Sequence, residues 1–327
     1  MRVLIWIAGI FGILWGGYWV VGSTAIERGV AQWFDTQTDL VASQDGINVS
    51  GFPSRFDLTV TTPRLTDPAT GWGWSAPFVQ VLSMTWKPWH VIAALPPDQL
   101  LTGPGQDIAV TSTRMAASLR LSPTTDLPLA EVVIEGQDIL AKSDLGWQIA
   151  AKSVVAALAR DPVDPLSQRL GLDLSGLTPD PGLTALVPDL GPVVTTLHLD
   201  ATLTLSAPLD RHMGAVPPYL TALTLGEFRL VWGSLNVSAK GRVEPGADGL
   251  AVGQIDLRVE NWRQIPALLV AMGVILPDMG KTVTRGLAVL AASGADPQVL
   301  DLPLIFADGR MTLGPLPLGP APLLQRQ

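Results

Sequence analysis

Between residues 223 and 259 the apolar side chains fall on alternate positions through three successive runs, and this period leaves few folds open. Leu223 and Leu225 lead to Phe228, Leu230 and Trp232; then come Leu235, Val237, Ala239, Gly241 and Val243, and finally Ile255, Leu257 and Val259. A period of two belongs to β-strands with one buried face. Gly233-Ser234 and Glu244-Pro245-Gly246-Ala247-Asp248-Gly249 separate the runs with turn residues, so consecutive strands fold back as an antiparallel meander. Gln254, Asp256, Arg258 and Glu260 occupy the alternate positions and mark the other face as solvated.

The same alternation recurs along the chain. Phe56, Leu58 and Val60 follow Gly51-Phe52-Pro53-Ser54-Arg55; Leu82, Met84 and Trp86 precede Lys87-Pro88; Met115, Ala117, Leu119 and Leu121 form another run, as do Leu197 to Leu205 on odd numbers. Between 160 and 192 six prolines interrupt regular structure, and the stretch reads as a connection with short helical turns inserted in one continuous sheet. Ile265, Leu268, Leu269 and Met272, then Met279, Val283, Leu287 and Leu290, fall at helical spacing and predict two short helices over the sheet. Leu300, Leu302, Leu304 and Phe306, the turn Asp308-Gly309, and Met311 with Leu313 predict a closing hairpin.

Residues 3–21 carry no charge, a length of about 19 residues that suits a helix crossing a hydrocarbon core of roughly 30 Å. Arg2 precedes the segment, so the positive-inside rule puts Met1 in the cytoplasm and the remainder outside it. A cleaved signal peptide competes, with Ser23-Thr24-Ala25 as small residues at a cleavage site, but its apolar region is normally only about 7 to 15 residues. Ile26, Val30, Trp33, Phe34 and Val41 continue at helical spacing and predict an amphipathic helix, packed on the sheet or lying in the lipid interface. The expected fold is therefore mainly β with minor α: an N-terminal transmembrane helix, then a large curved antiparallel sheet with a few short covering helices. In domains this is an anchor over 1–22, an amphipathic linker helix over 23–45, and a β-rich periplasmic domain over 46–327 with the insertion at 160–192.

Composition narrows the chemistry. The net charge of −8 removes attraction to a phosphate backbone, so nucleic acid is not an expected partner. With no cysteine there is no disulfide, thiolate zinc site or cysteine nucleophile. His90, His198 and His212 share no metal-binding spacing; Leu174-Ser175-Gly176 lacks the glycine of a nucleophile elbow, and Gly103-Pro104-Gly105 is too short for a phosphate loop. Asp144, Asp161, Asp164, Asp173, Asp256 and Glu260 are scattered, and linear spacing does not pair them across a site. No catalytic, cofactor-binding or metal-binding residue is assigned, and the chain is not expected to be an enzyme. Arg55 stands beside alternating apolar residues, where it needs a carboxylate such as Asp57 or a ligand.

The N-terminal apolar segment, Gly51-Phe52-Pro53-Ser54-Arg55, Trp74-Ser75-Ala76-Pro77 through Trp86-Lys87-Pro88, and Asp308-Gly309-Arg310-Met311-Thr312-Leu313-Gly314-Pro315 together resemble the alphaproteobacterial family called domain of unknown function 2125. The resemblance spans almost the whole chain and implies a bacterial envelope protein, with no assigned activity or site residue to carry over. A looser architectural likeness is to AsmA-type envelope proteins, whose curved sheets shelter lipid chains. The expectation that follows is an inner-membrane protein with a single N-terminal span and its bulk in the periplasm. It would bind lipid or another acyl-bearing envelope molecule in a groove lined by Phe56, Leu58, Met84, Trp86, Phe228, Leu230, Trp232 and Leu257. The alternative is a structural or assembly factor that contacts other envelope proteins through an exposed edge. Whether the late helices plug the apolar face or leave it open discriminates the two.

Overall fold

Helix α1 (Arg2–Thr36) opens the chain as one uninterrupted rod, long and apolar enough by length and composition to cross a membrane. The computed structural model describes residues 1–215, 217–292, 294 and 296–325. The chain divides into two compact units, one of Met1–Pro123 with Ile134–Gly146, the other of Thr124–Val133 with Trp147–Gln327. It is mainly β with minor α, and its strands pair antiparallel.

Besides α1, the first unit holds β1 (Val41–Ser43), β2 (Gly46–Ser50), β3 (Arg55–Thr61), β4 (Arg64–Thr66), β5 (Gly73–Ser75), β6 (Phe78–Met84), β7 (Lys87–Leu95), β8 (Asp98–Gly103), β9 (Gln106–Thr111), β10 (Arg114–Leu121) and part of β11 (Leu129–Ser143). One ladder runs β2–β3–β6–β7–β10 and another β1–β4–β5–β8–β9–β11. The ladders meet along a line where neighbouring strands break at one level, at Thr62-Pro63, Ala76-Pro77, Pro96-Pro97 and Ser112-Thr113. At the first three breaks stands a proline, which has no N–H to give a ladder, so the strands end there. The remaining amides still pair across the line, from Thr62 N to Pro77 O at 2.8 Å and from Ser112 N to Pro97 O at 2.9 Å. Pro63 and Pro96 are fully buried.

The lower half of α1 roofs β2 and β3. Val49, Phe56, Leu58 and Val60 are buried there, with Trp19, Ile26, Val30 and Phe34 of the helix against them. Burying side chains of this size stabilises by about 1.5–3 kcal/mol each. Gly22 lets the helix approach: a Cβ at that position would lie 2.7 Å from the Phe56 ring. Polar contacts fix the same seating. Trp15 Nε1 donates to Pro53 O, Tyr18 Oη to Thr85 O and Trp19 Nε1 to Arg55 O, each at 2.8 Å, while Glu27 accepts from Val49 N at 2.9 Å.

The second unit is a meander of β12 (Gln148–Arg160), β13 (Ser167–Leu177), β14 (Val194–Leu205), β15 (Leu220–Trp232), β16 (Leu235–Pro245), β17 (Ala251–Glu260), β18 (Val299–Ala307), β19 (Arg310–Leu313) and β20 (Leu316–Pro320). Each strand pairs with the next. A bulge between Leu225 and Phe228 absorbs Gly226 and Glu227, so both apolar runs of β15 face the same side. Among the described residues three α-helices accompany the sheet: α2 (Pro181–Leu186), α3 (Ile265–Ala271) and α4 (Pro277–Ala292). The α2 start is capped by Asp180, which accepts from Gly182 N at 2.7 Å and also from Gln148 N at 2.9 Å, tying the helix to the head of β12.

Two expectations need correction. The sheet is not curled, so the curved sheet expected from the sequence is replaced by an open antiparallel ladder. Alternation reports which face of a strand is buried and carries no information about bending of the sheet. The stretch 160–192 is also more regular than its prolines suggested. Those prolines flank β13, and between Pro165 and Pro179 the chain carries none, leaving Leu170, Leu172 and Leu174 free to alternate in a full strand.

Candidate functional site

The eight apolar residues singled out from the sequence fall in three settings. Phe56 and Leu58 are closed off beneath α1. Met84 and Trp86 lie at the turn between β6 and β7, and both are exposed. Phe228, Leu230, Trp232 and Leu257 share one face of the second unit's sheet.

That face is covered unequally. At one end Val194, Trp232, Leu235, Val259, Trp262 and Leu300 form a closed core with Leu287 and Ala291 of α4. Trp232 is 5% exposed and its Nε1 donates to Gly191 O at 2.9 Å, so the ring is apolar body and satisfied donor at once. At the other end Val243, Ala251, Phe306 and Ala321 form a second core. Between them Leu172, Leu199, Phe228, Ala239, Leu257 and Leu302 stand in register as a row across six strands. Leu170, Leu172, Leu199, Leu203, Leu225 and Phe228 belong to neither core and remain half-buried. The result is an apolar strip with accessible edges. Gln168, on this face opposite Leu203, is buried, and its Oε1 has no hydrogen-bond partner. An orphaned acceptor of this kind costs about 1–3 kcal/mol.

The opposite face is polar, in a second registered row of Asp173, His198, Arg229, Ser238, Arg258 and Asp301. Its charges are spent on one another: Arg258 reaches Asp301 at 2.8 Å and Glu260 at 3.5 Å, and Arg169 reaches Asp200 at 2.9 Å. A hollow of about 680 Å³ opens on this unit, lined by Glu227, Lys240, Asp256, Arg258 and Asp301 among others. Most of its lining side chains lie on the polar face, so size alone does not make it the apolar binding place. His198 Nδ1 lies 2.6 Å from Asp173, and this hydrogen bond, with desolvation opposing it, raises the imidazole above its ordinary value of 6.5. The residues opposite His198 are Asp173 and Arg229, so no hydroxyl stands in register to serve as a nucleophile. His90 contacts Ser118 and His212 lies near Asp126, and among the described residues no three His, Asp or Glu side chains gather as a metal site.

Arg55 has its carboxylate: Nη2 lies 2.8 Å from Asp57 Oδ2. The Gly51-Phe52-Pro53-Ser54-Arg55 motif is thereby explained as a seat for α1. Gly51 takes φ +100°, and a Cβ there would press on Arg55 O and Asp57 Oδ2 at 3.0 Å. What sequence reasoning missed is the β13 contribution to the apolar strip, whose only signal was the alternation of Leu170, Leu172 and Leu174 between prolines.

No curated protein matches the chain, and no solved structure does. Residues 19–322 match the model of a family described as an uncharacterized protein conserved in bacteria, DUF2125, and with that coverage the chain belongs to this family.

Proposed function

We propose that this is a membrane-anchored, non-enzymatic protein of the bacterial envelope that holds an acyl chain of a lipid against the apolar face of its second unit. The observation that carries the reading is the half-buried strip of Leu170, Leu172, Leu199, Leu203, Leu225 and Phe228, which belongs to neither closed core. An aliphatic chain laid across it removes apolar surface from water at about 25 cal/mol per Å². In this reading α1 spans the inner membrane with Arg2 on the cytoplasmic side, and the sheets lie in the periplasm.

The test is a photoreactive residue placed singly at Leu199 or Phe228 of the full chain in cells, with Ser238 and Arg258 as positions on the opposite face. Lipid adducts from the first pair and none from the second are the expected result. Protein adducts in place of lipid would transfer the strip to an assembly role, and adducts equally from both faces would sink the reading.

A further inference from the structure

We propose that the turns at 51–54 and 85–86 of the first unit seat in the outer part of the hydrocarbon core that α1 crosses, just beneath the headgroups, with Phe52, Met84 and Trp86 entering the lipid. The inference rests on the reading of α1 as a membrane span, and the argument for it is one of length. A helix rising about 1.5 Å per residue needs roughly 20 residues to cross a core of roughly 30 Å. Residues 3–14 are exposed on every side, but twelve residues cover only about 18 Å. Counted from Val3, the first residue past the charge of Arg2, a full crossing ends near Gly22. Trp15, Tyr18 and Trp19 then lie roughly 10, 6 and 4 Å short of that limit. Trp15 and Tyr18 are hydrogen-bonded to carbonyls of the two turns, at Pro53 and Thr85, and Trp19 to that of Arg55, the first strand residue after one of them. The turns therefore share the depth of these three rings.

The turns are built for that depth. Phe52 is 59% exposed, Trp86 52% and Met84 42%, a cluster of large apolar side chains that water does not favour. Several of their backbone groups are nevertheless paired within the protein. The carbonyls of Pro53, Arg55 and Thr85 accept from α1, and that of Ser54 accepts from Thr85 N at 3.1 Å. Ser54 N and Arg55 N donate to Gly51 O, and Pro53 has no N–H to satisfy. Backbone that enters a low-dielectric layer must be paired in this way. At the rim stand Lys87 and the Arg55–Asp57 pair, placed where a cation meets phosphate headgroups while its stem lies along apolar surface.

The chain has no cysteine, which makes single-site labelling direct. The full chain would be placed in bilayer nanodiscs of phosphatidylethanolamine and phosphatidylglycerol with a nitroxide at Phe52→Cys, Met84→Cys or Trp86→Cys. Ile7→Cys reports the span, and Val163→Cys, 90% exposed in the second unit, reports water. The expected result is that labels at 84 and 86 collide with lipid-soluble oxygen several-fold more, relative to an aqueous nickel chelate, than the label at 163. The label at 52 should agree, and position 84 stands in for it should loss of the Phe52–Trp19 ring contact loosen the helix. Labels at 84 and 86 that match 163, with 7 still in lipid, overturn the seating and leave the span intact. A label at 7 that is itself in water overturns both.

Discussion

Trp232 and Phe228 lie four residues apart on one face of β15, yet they occupy opposite environments, and substitution separates them. Trp232→Ala removes a ring enclosed by Leu235, Val259, Trp262 and Leu300 and the bond to Gly191 O, so a loss of about 3–5 kcal/mol is expected in chemical denaturation. Phe228→Ala, at a half-buried position on the strip, should cost clearly less while reducing lipid adducts from neighbouring Leu199. On the other face His198 supplies a pH signature. Its folded value is raised by Asp173, so the stabilisation is fully present below about 6.5 and lost as pH rises through the raised value. Asp173→Asn should therefore lower the His198 midpoint in an NMR titration. Its destabilisation should be seen near pH 6 and fade in alkaline solution; an unmoved midpoint would refute the assignment.

At the scale of elements, the joint between α1 and β3 is the contact most sensitive to added bulk. Gly22→Val would push a side chain into Phe56, and overpacking of this kind costs about 1–3 kcal/mol. Gly17→Val meets nothing within 4 Å and should leave the melting temperature of the detergent-solubilised protein unchanged. Strand identity was legible because Leu223 to Val259 alternate with turn residues between them, and the late helices because Val283, Leu287 and Leu290 repeat at helical spacing. Other features were not. Which rows of the sheet α4 would cover depends on tertiary packing, so Trp232 and Phe228 looked alike. The docking of Trp15 and Trp19 on Pro53 and Arg55, and of Tyr18 on Thr85, joins residues far apart in sequence, and no local pattern encodes it. The dense prolines of 160–192 hid β13 because their number outweighed their spacing.

For the molecule as a whole, the orientation inferred from Arg2 predicts that a reporter able to fold only in the periplasm is active when fused to the C-terminus, and one that needs the cytoplasm is not. The seating of α1 also bears on how the protein is made. Its three ring donors precede their acceptor carbonyls by 36, 38 and 67 residues, so synthesis at ~5–20 residues per second leaves the last of them waiting roughly 3 to 13 seconds. In the proposed membrane reading, the helix is made before the turn that holds it exists, and the first unit closes only once that turn has followed it across. Cutting the chain after Ala25, as a leader peptidase would, leaves Ile26, Val30 and Phe34 in place but strips Tyr18 and Trp19 from Phe56. A fragment beginning there should refold with its first unit less protected from amide exchange than the second, because what looks like a leader is part of the roof.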